Sequence, residues 1–481
     1  MEAITDPDGV TSTALLNCLR REVGERGPDG TLRLPRTGVV LRAREGRWLS
    51  DPEVFTGSWQ PLPWHELAVL VAEELGDPPV GFFDEIAASR SAVAAILDAR
   101  PAAPPADLYR RSEQALVAGH RYHPAPKGRG GLPPSQWLPY SPEVHATFSL
   151  ARLEGEFVDD GEVPLPAGVL PAHPWQLALL GREGNAAGHE VWPTSSVRTV
   201  YDPAADLFHK FSLDVRITND VRRLWAHDLR WIPPLAALLK PVFDDIASVF
   251  PGTAFLLDRG YRTSPEEFEG LAVVVRDGLR RHLLPGATPL LAAGISEGFE
   301  GNPLDGLDAG AALHWFRRYV SVVVPPVLHA FFAHGVVMEC HLQNVLVGVD
   351  ASGVPVQAIH RDPEGMRLLP RHAALLSSMD GPGSARGVTE AKGWERLQYC
   401  LVVNHLVEIA GAVLDRHPGL DVWAEARAVF VAYAREHGAE QVLSLLENRF
   451  VPAKANLLLR WTRAEGAASR YVDCPNPLHR G

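Results

Sequence analysis

The sequence predicts an α+β fold in three lobes: a mostly helical lobe over residues 1–118, a β-rich lobe over 119–309, and a mostly helical lobe over 310–481 that carries a β-hairpin. Three observations lead there. Residues 195–217 and 345–362 each alternate apolar and polar side chains around a turn-forming centre, which is a hairpin pattern. Apolar residues recur at helical spacing over 65–75, 86–99 and 106–118, and again from Gly310 onward. A chain of 481 residues is also too long for one compact core.

A hydrophobic content of 46% with 22% charged residues is that of a folded chain, so disorder is not expected. The net charge of -12 argues against general attraction to nucleic acid or to an anionic membrane, and neither is expected as a partner. Any anionic ligand must therefore be met by a local basic pocket. The cysteines Cys18, Cys340, Cys400 and Cys474 stand far apart without CxxC spacing, which gives neither a zinc site nor a disulfide framework. Cys340 reads as a small buried thiol. The opening MEAITDPDGV is acidic, with no basic start and no apolar core, and reads as cytoplasmic. The most apolar run, 321–338, contains Pro325, Pro326, His329 and His334, which suits a buried helix and not a membrane span.

Taken in order, a short β-like entry at 31–48 precedes the three N-terminal helices, the last two separated by the proline-rich 101–105, and the whole reads as a supporting lobe. Residues 119–131, GHRYHPAPKGRGG, form a Gly/Pro-rich segment with His120, His123, Arg121, Lys127 and Arg129. Its backbone N–H groups, with Lys127 and Arg129, suit an anion, although basic loops of this kind are commonly plain surface. Val144, Ala146, Phe148 and Leu150 alternate as a strand should, and AHPWQL at 172–177 is a turn entering a short helix.

The first hairpin pairs 195–201 with 207–217. Centring its turn on Ala204 sets Arg198 opposite Lys210 and Ser196 opposite Ser212. Two facing cations repel unless an anion sits between them. The second strand is expected to run directly into a helix capped by Thr218 or Asn219, with Arg222 one turn on. A helix start beside an arginine is a seat for carboxylate or phosphate; a capped helix with an exposed Arg222 is an equally good reading. Residues 225–310 mix strands at 254–257 and 271–276 with Gly/Pro-rich links and say little about chemistry.

A long helix from Gly310, with Leu313, Phe316 and Val320 on one face, leads to the second hairpin; helices near 394–414, 423–436 and 441–447 follow, and then a tail carrying Lys454 and Arg460. In the second hairpin Asn344 and Asp362 lie about nine residues either side of the turn, so pairing brings them together at the open end, where Glu339 and His341 also arrive. Carboxylates and an amide oxygen on a rigid frame suit Mg²⁺ with nucleotide phosphates, and His341 adds a donor. The ordinary alternative is a hairpin with a solvated polar mouth.

Several motifs then agree in order: GH..HP..K.R.G, HPWQ, SSVRT with a lysine-bearing strand, ITNDVRR, HG…E.H.QN…RD, and a late KA…R. Together these resemble the IucA/IucC family, the NRPS-independent siderophore (NIS) synthetases, over roughly residues 110 to 478. The resemblance implies a cupped-hand architecture of thumb, fingers and palm, a homodimer, and a ligase that uses ATP and Mg²⁺ to adenylate a carboxylate of citrate or a related polycarboxylic acid. An amine or alcohol then captures the acyl-adenylate, giving amide or ester, AMP and pyrophosphate. Motif by motif, it implies Ser196, Arg198, Thr199 and Lys210 on the nucleotide phosphates, with His120 or His123, Lys127 and Arg129 completing that pocket. It implies Thr218, Arg222 and His341 at the substrate carboxylates and reacting centre, Arg460 as a further carboxylate contact, and Glu339, Asn344 and Asp362 on Mg²⁺. His341 is left two roles, proton acceptor or hydrogen-bond donor to the carbonyl oxygen. Arg198, Lys210 and Arg222 would stabilise charge on the transferring group.

Three departures mark this chain: Arg121 where the family usually has proline, glycines at 128, 130 and 131, and a shorter length. Two rival readings stand beside the ligase. A kinase-like phosphotransferase would release ADP, and the H..N, hairpin, Asp order is similar to a kinase catalytic loop, but no GxGxxG strand-turn-strand or VAIK-like lysine accompanies it. The other is a nucleotide- or citrate-binding homologue without catalysis, which has no need of a full phosphate and metal set.

Overall fold

The computed structural model describes residues 6–218, 220–379, 386–462 and 470–480, the side chains of 186–188 excepted. Asp6 starts the first helix, Pro7–Glu22, by accepting hydrogen bonds from the amides of Asp8 and Gly9, with proline at the first position. A five-stranded antiparallel meander follows in sequence order, Glu25–Arg26 through Trp59–Pro61, and then the helices Trp64–Leu75 and Phe82–Ala99. The meander makes this region less helical than its sequence suggests, because its strands are short and half wet and carry little alternation. The helix expected over 106–118 is confined to Leu108–Glu113, after which the chain stays buried through Ala115, Val117 and Ala118 without helical form. Leu457 from near the C-terminus completes the N-terminal core, and Trp461 packs edge-on to Phe82.

Two sheets hold the predicted hairpins. Thr199–Asp202 and Leu207–Phe211 are central strands of an eight-stranded sheet, while Val345–Val349 and Pro355–His360 are central in a four-stranded one. One continuous segment ties the sheets together: Thr253–Phe255 pairs in parallel with Pro355–His360, and Asp258–Thr263, directly after it, pairs with Ala272–Asp277 beside the first hairpin. The open ends of the two ribbons are thereby fixed relative to each other. The helix Ala309–Phe332 lies at the centre of the largest core, with Phe316, Val320, Val323 and Val324 fully buried, and runs through Pro325 and Pro326.

The second hairpin forms as expected, Val345 opposite His360, with its turn held by Asp350 Oδ1 accepting from the Ser352 and Val354 amides. The first differs by one residue. Thr199, not Arg198, is opposite Lys210, and Arg198 is paired instead with Phe211 through its carbonyl. The turn holds four residues, capped by the Asp202 carboxylate on the amides of Ala204 and Ala205 and closed by Asp206 in the left-handed region at φ 53°. Residues 195–198 form a turn and not a strand, with the Thr199 amide donating to the Ser196 carbonyl at 2.8 Å.

The helix expected after Ile217 is absent. Arg216–Ile217 and Asp220–Val221 instead form a tiny hairpin with Thr218 at φ 58°, and the helix begins at Ala226. Thr, Asn and Asp serve turns as readily as caps, and here the turn prevails. That helix, Ala226–Val249, has no trace in the sequence reading because Pro233, Pro234 and Pro241 lie inside it. The strand expected from Val144 starts only at Phe148, since 142–144 make a tight turn and His145 adopts φ 59°. Among the described residues one helix, Glu390–Leu414, is long and apolar enough to cross a bilayer, and 72% of its most apolar window is buried inside the fold.

Candidate active site

Where the ribbons meet, Lys210 Nζ donates to Asp362 Oδ1 at 2.7 Å and also bonds Glu364. Arg276, on the strand next to Lys210, donates through Nη2 to the same Asp362 oxygen at 2.9 Å and through Nε to Asp258 at 2.5 Å. Arg198 reaches Glu364 at 3.7 Å and fixes the other side of its guanidinium on the Arg222 carbonyl at 3.0 Å. Arg386 bonds Asp228 at 2.9 Å and the Glu364 carbonyl. The cations, although not opposite one another in the register, thus converge on a pair of the chain's own carboxylates.

Electrostatics keep these groups ionised. Burial pushes the Asp362 carboxyl up, but Lys210 and then Arg276 outweigh it and hold it well below the usual carboxylate range. Glu364 is lowered to about 2, burial being overcome by Lys210 and then Arg198. Lys210 is 3% exposed while the carboxylate side chains are 30% and 32% exposed, so the cations line the floor and the carboxylates face the opening. Asp362 itself sits at φ 65°, a conformation costly for a non-glycine residue and held here by the ribbon end.

On the other side of the second ribbon, Glu339 is bonded to Arg396 at 2.7 Å, and its carboxylate lies against the Cα of Gly365, where a Cβ would fall 1.3 Å from Oε2. Asn344 Nδ2 donates to the Glu339 carbonyl at 3.1 Å, and the Asn344 backbone carbonyl accepts the Arg361 amide at 3.0 Å. The Gln343 amide donates to His341 Nδ1 at 3.3 Å, which leaves the proton of a neutral ring on Nε2. Burial lowers His341, with Glu339 and Asp362 opposing, so the ring is neutral near pH 7. His120 is lowered to about 3 by burial and then by His123, Arg21, His341 and Lys454, which places it within electrostatic reach of His341.

A buried clamp supports both ribbons. Glu113 receives both Arg361 Nη groups, the Tyr109 hydroxyl at 2.8 Å and the Ser195 amide at 2.9 Å, while Arg361 also donates to the Gln343 carbonyl at 2.8 Å. One carboxylate therefore locks the Ser195–Arg198 turn, with Ser196 at its surface and Thr199 buried behind it, onto the end of the second hairpin.

Other expected residues are placed elsewhere or differently. Arg222 donates to Thr218 Oγ1 at 2.8 Å and to the Ile217 carbonyl at 2.9 Å, so the two stay together without a helix start. Lys127 and Arg129 both bind Glu143, the latter at 3.2 Å, and all three are buried. Their charges are answered inside that loop, and none of their described bonds joins them to Lys210 or Asp362. His120 and His123 each accept a backbone amide through Nδ1 at 3.1 Å. Arg460 pairs with Glu85 at 2.6 Å in the N-terminal lobe, apart from the cluster. Arg121 pairs with Glu297 at 2.7 Å and covers the Trp48 ring at 4.3 Å, which accounts for a cation where proline is usual. Arg276, Glu364, Arg386, Arg396 and Glu113 went unseen in the sequence. The one available signal was a charged Arg276-Asp277 ending the apolar run Ala272–Val275.

Comparison with known proteins bears on the whole chain. The sequence profile described as the IucA / IucC family matches residues 108–156 and 153–297, and one described as a ferric iron reductase FhuF-like transporter matches 313–469. The rhizobactin siderophore biosynthesis protein RhbC of Rhizobium meliloti is 29% identical over 447 residues, 76% of this chain and 75% of that protein. Residues 108–297 carry the IucA/IucC family profile. Another relative is the L-2,3-diaminopropanoate–citrate ligase of Staphylococcus aureus, 26% identical over 437 residues, 77% of this chain and 75% of that one. Among solved structures, the ATP-bound aerobactin synthetase IucA of Klebsiella pneumoniae aligns at a TM-score of 0.82 with 20% identity, covering 98% of this chain and 100% of that one. The mixed α and β fold expected from the sequence is the fold of that IucA/IucC-family structure.

Proposed function

We propose that this protein is an ATP-dependent ligase that adenylates a carboxylate of citrate or a related polycarboxylic acid and condenses it with an amine or alcohol, releasing pyrophosphate and AMP, within siderophore-type biosynthesis. The observation that carries the reading is the junction of the ribbons, where Lys210, Arg198 and Arg276 converge on Asp362 and Glu364. Relatives named as citrate ligases and siderophore biosynthesis proteins, and an ATP-bound fold neighbour, support it.

In the first half a substrate carboxylate oxygen attacks the α-phosphorus, its bond to the bridging oxygen breaks, and pyrophosphate leaves. Charge collects on the phosphoryl oxygens and the departing group, where fixed cations are most effective. Arg198 and Lys210 would meet that charge, with Ser196 on the turn beside Arg198 and Thr199 at the start of the strand that follows. In the second half a neutral amine attacks the acyl carbon, the bond from that carbon to the adenylate oxygen breaks, and AMP departs, with the proton lost by the nitrogen passing to the AMP phosphate or to water. With Nδ1 occupied by the Gln343 amide, His341 offers Nε2–H, so the geometry favours a hydrogen bond to the acyl oxygen over acceptance of the amine proton. Thr218 and Arg222 would hold a free carboxylate of the acid.

Glu339, Asn344 and Asp362 carry hard oxygens of the kind Mg²⁺ takes and would hold it, with Glu364 next to Asp362 on Lys210. When bound there, it would neutralise phosphate charge. Glu339 is tied to Arg396, and Asp362 to Lys210 and Arg276, so these oxygens serve ion pairs as well.

The test is incubation with Mg-ATP, citrate and a panel of amines that includes L-2,3-diaminopropanoate and spermidine. AMP and pyrophosphate are expected in equal amounts. ADP as the sole nucleotide product would favour the phosphotransferase, and absence of turnover with every acid and amine would favour a binding homologue.

A further inference from the structure

Three helices of the largest core converge on a group that the ligase chemistry does not use. Asp245 lies in Ala226–Val249, His329 in Ala309–Phe332, His334 just beyond that helix, and His437 at the end of Val422–His437. One donor atom from each of Asp245, His329 and His334 lies within 4.8 Å of the other two. Asp245 Oδ2 is 2.9 Å from His334 Nε2 and 3.9 Å from His329 Nε2. The His329 ring centre is 5.2 Å from that of His437, and His329 Nδ1 and His437 Nε2 are both buried without a hydrogen-bond partner.

We propose that Asp245, His329 and His334, with His437 as the nearest further donor, form a binding site for a borderline divalent transition-metal ion, of which Zn²⁺ is the representative. Imidazole nitrogens with a single carboxylate select this class over Mg²⁺ or Ca²⁺, which require several oxygens. Bond lengths of about 2.0–2.2 Å need the donors to close slightly. The half-exposed Asp245 side chain is free to do that, and His334 stands outside regular helix. An ion here would tie three helices of one core together five residues before Glu339, and would stabilise the chain by binding only the folded state.

The experiment uses the full chain, treated with chelator and held in excess Mg²⁺ to occupy any hard-oxygen site, titrated calorimetrically with ZnCl₂ and then with Co²⁺ followed by visible absorption. One ion per chain is expected, with a higher melting temperature and ligand-field bands typical of nitrogen and oxygen donors. Loss of an outer-shell partner alone weakens metal sites by about 10–100-fold. Removal of a direct ligand in His329→Ala or His334→Ala should weaken binding by at least that much and abolish the thermal shift. Should His329→Ala fail to fold, the more exposed His334→Gln carries the same test. No saturable binding, or equal binding by the wild type and the folded variants, overturns the proposal.

Discussion

Replacing Glu113 by alanine should destabilise the protein more than any single change at the open junction of the ribbons. Its side chain is fully buried and that of Arg361 is 5% exposed, yet the two residues are 248 positions apart, so the pair exists only in the folded state. The substitution strands a buried guanidinium and the Ser195 amide together. Breaking a buried pair from one side typically costs about 3–5 kcal/mol. Arg361 keeps its bonds to the Gln343 carbonyl at 2.8 and 3.1 Å, which argues for the lower end, about 3 kcal/mol, against total stabilities of about 5–15 kcal/mol.

Urea unfolding followed by tryptophan fluorescence measures this, and the double variant Glu113→Ala/Arg361→Met supplies the control. With the charge gone, the double should be less destabilised than the sum of the singles by roughly 1–3 kcal/mol, the coupling expected of contacting residues. A loss of under about 1 kcal/mol in Glu113→Ala, or strict additivity, would refute the view that this carboxylate holds the ribbons together.

Arg198→Ala and Asp362→Ala should each reduce pyrophosphate release by about 10²–10³-fold, the usual effect of removing one fixed charge-stabilising group, and unchanged turnover in both would mean that their roles are misassigned. Gly365→Ala sets a Cβ 1.3 Å from Glu339 Oε2, so the carboxylate must move; activity should fall while circular dichroism stays native, and unaltered kinetics would separate Glu339 from the reaction. Glu143 has a folded pKa lowered to about 2 by Lys127 and Arg129 against the opposing pull of burial, so its contribution is complete above the unfolded value near 4.5 and is lost as pH falls toward 2. Denaturation midpoints at about pH 5 and about pH 3 should therefore drop less in Glu143→Gln than in the wild type, and equal drops would contradict the assignment.

Local periodicity made both hairpins legible, because alternation and turn chemistry are written within some twenty residues. Register was not, since it depended on Asp206 adopting a positive φ and lengthening the turn by one residue. The segment after Ile217 defeated the reading for a related reason: the residues that cap helices also make turns, and the choice was settled by Leu213 and Arg222 pairing through their backbones. Arg276 and Glu364 were invisible because their partners are remote, Lys210 lying 154 residues from Glu364 and Arg276 lying 86 from Asp362. Proline content hid the helix Ala226–Val249, whose apolar face, once formed, buries Leu235, Leu239 and Ile246 well enough to outweigh the lost backbone bonds.

Arg198 and Lys210 do not face each other across the strands, since Thr199 is opposite Lys210, yet both converge on the chain's own carboxylates. A chain of net charge -12 can keep Lys210, Arg198 and Arg276 buried beside one another only if carboxylates accompany them, because an isolated buried charge is far costlier than a paired one. Asp362 and Glu364 meet that requirement while remaining partly open to solvent. On the proposed reading, a triphosphate would exchange one set of anions for another on this cationic floor, with little rearrangement of the arginines. That floor stays fixed because Arg198 is anchored on the Arg222 carbonyl, Arg276 on Asp258, and the Ser195–Arg198 turn on Glu113. Cations fixed in this way are what electrostatic stabilisation of a developing phosphoryl charge requires.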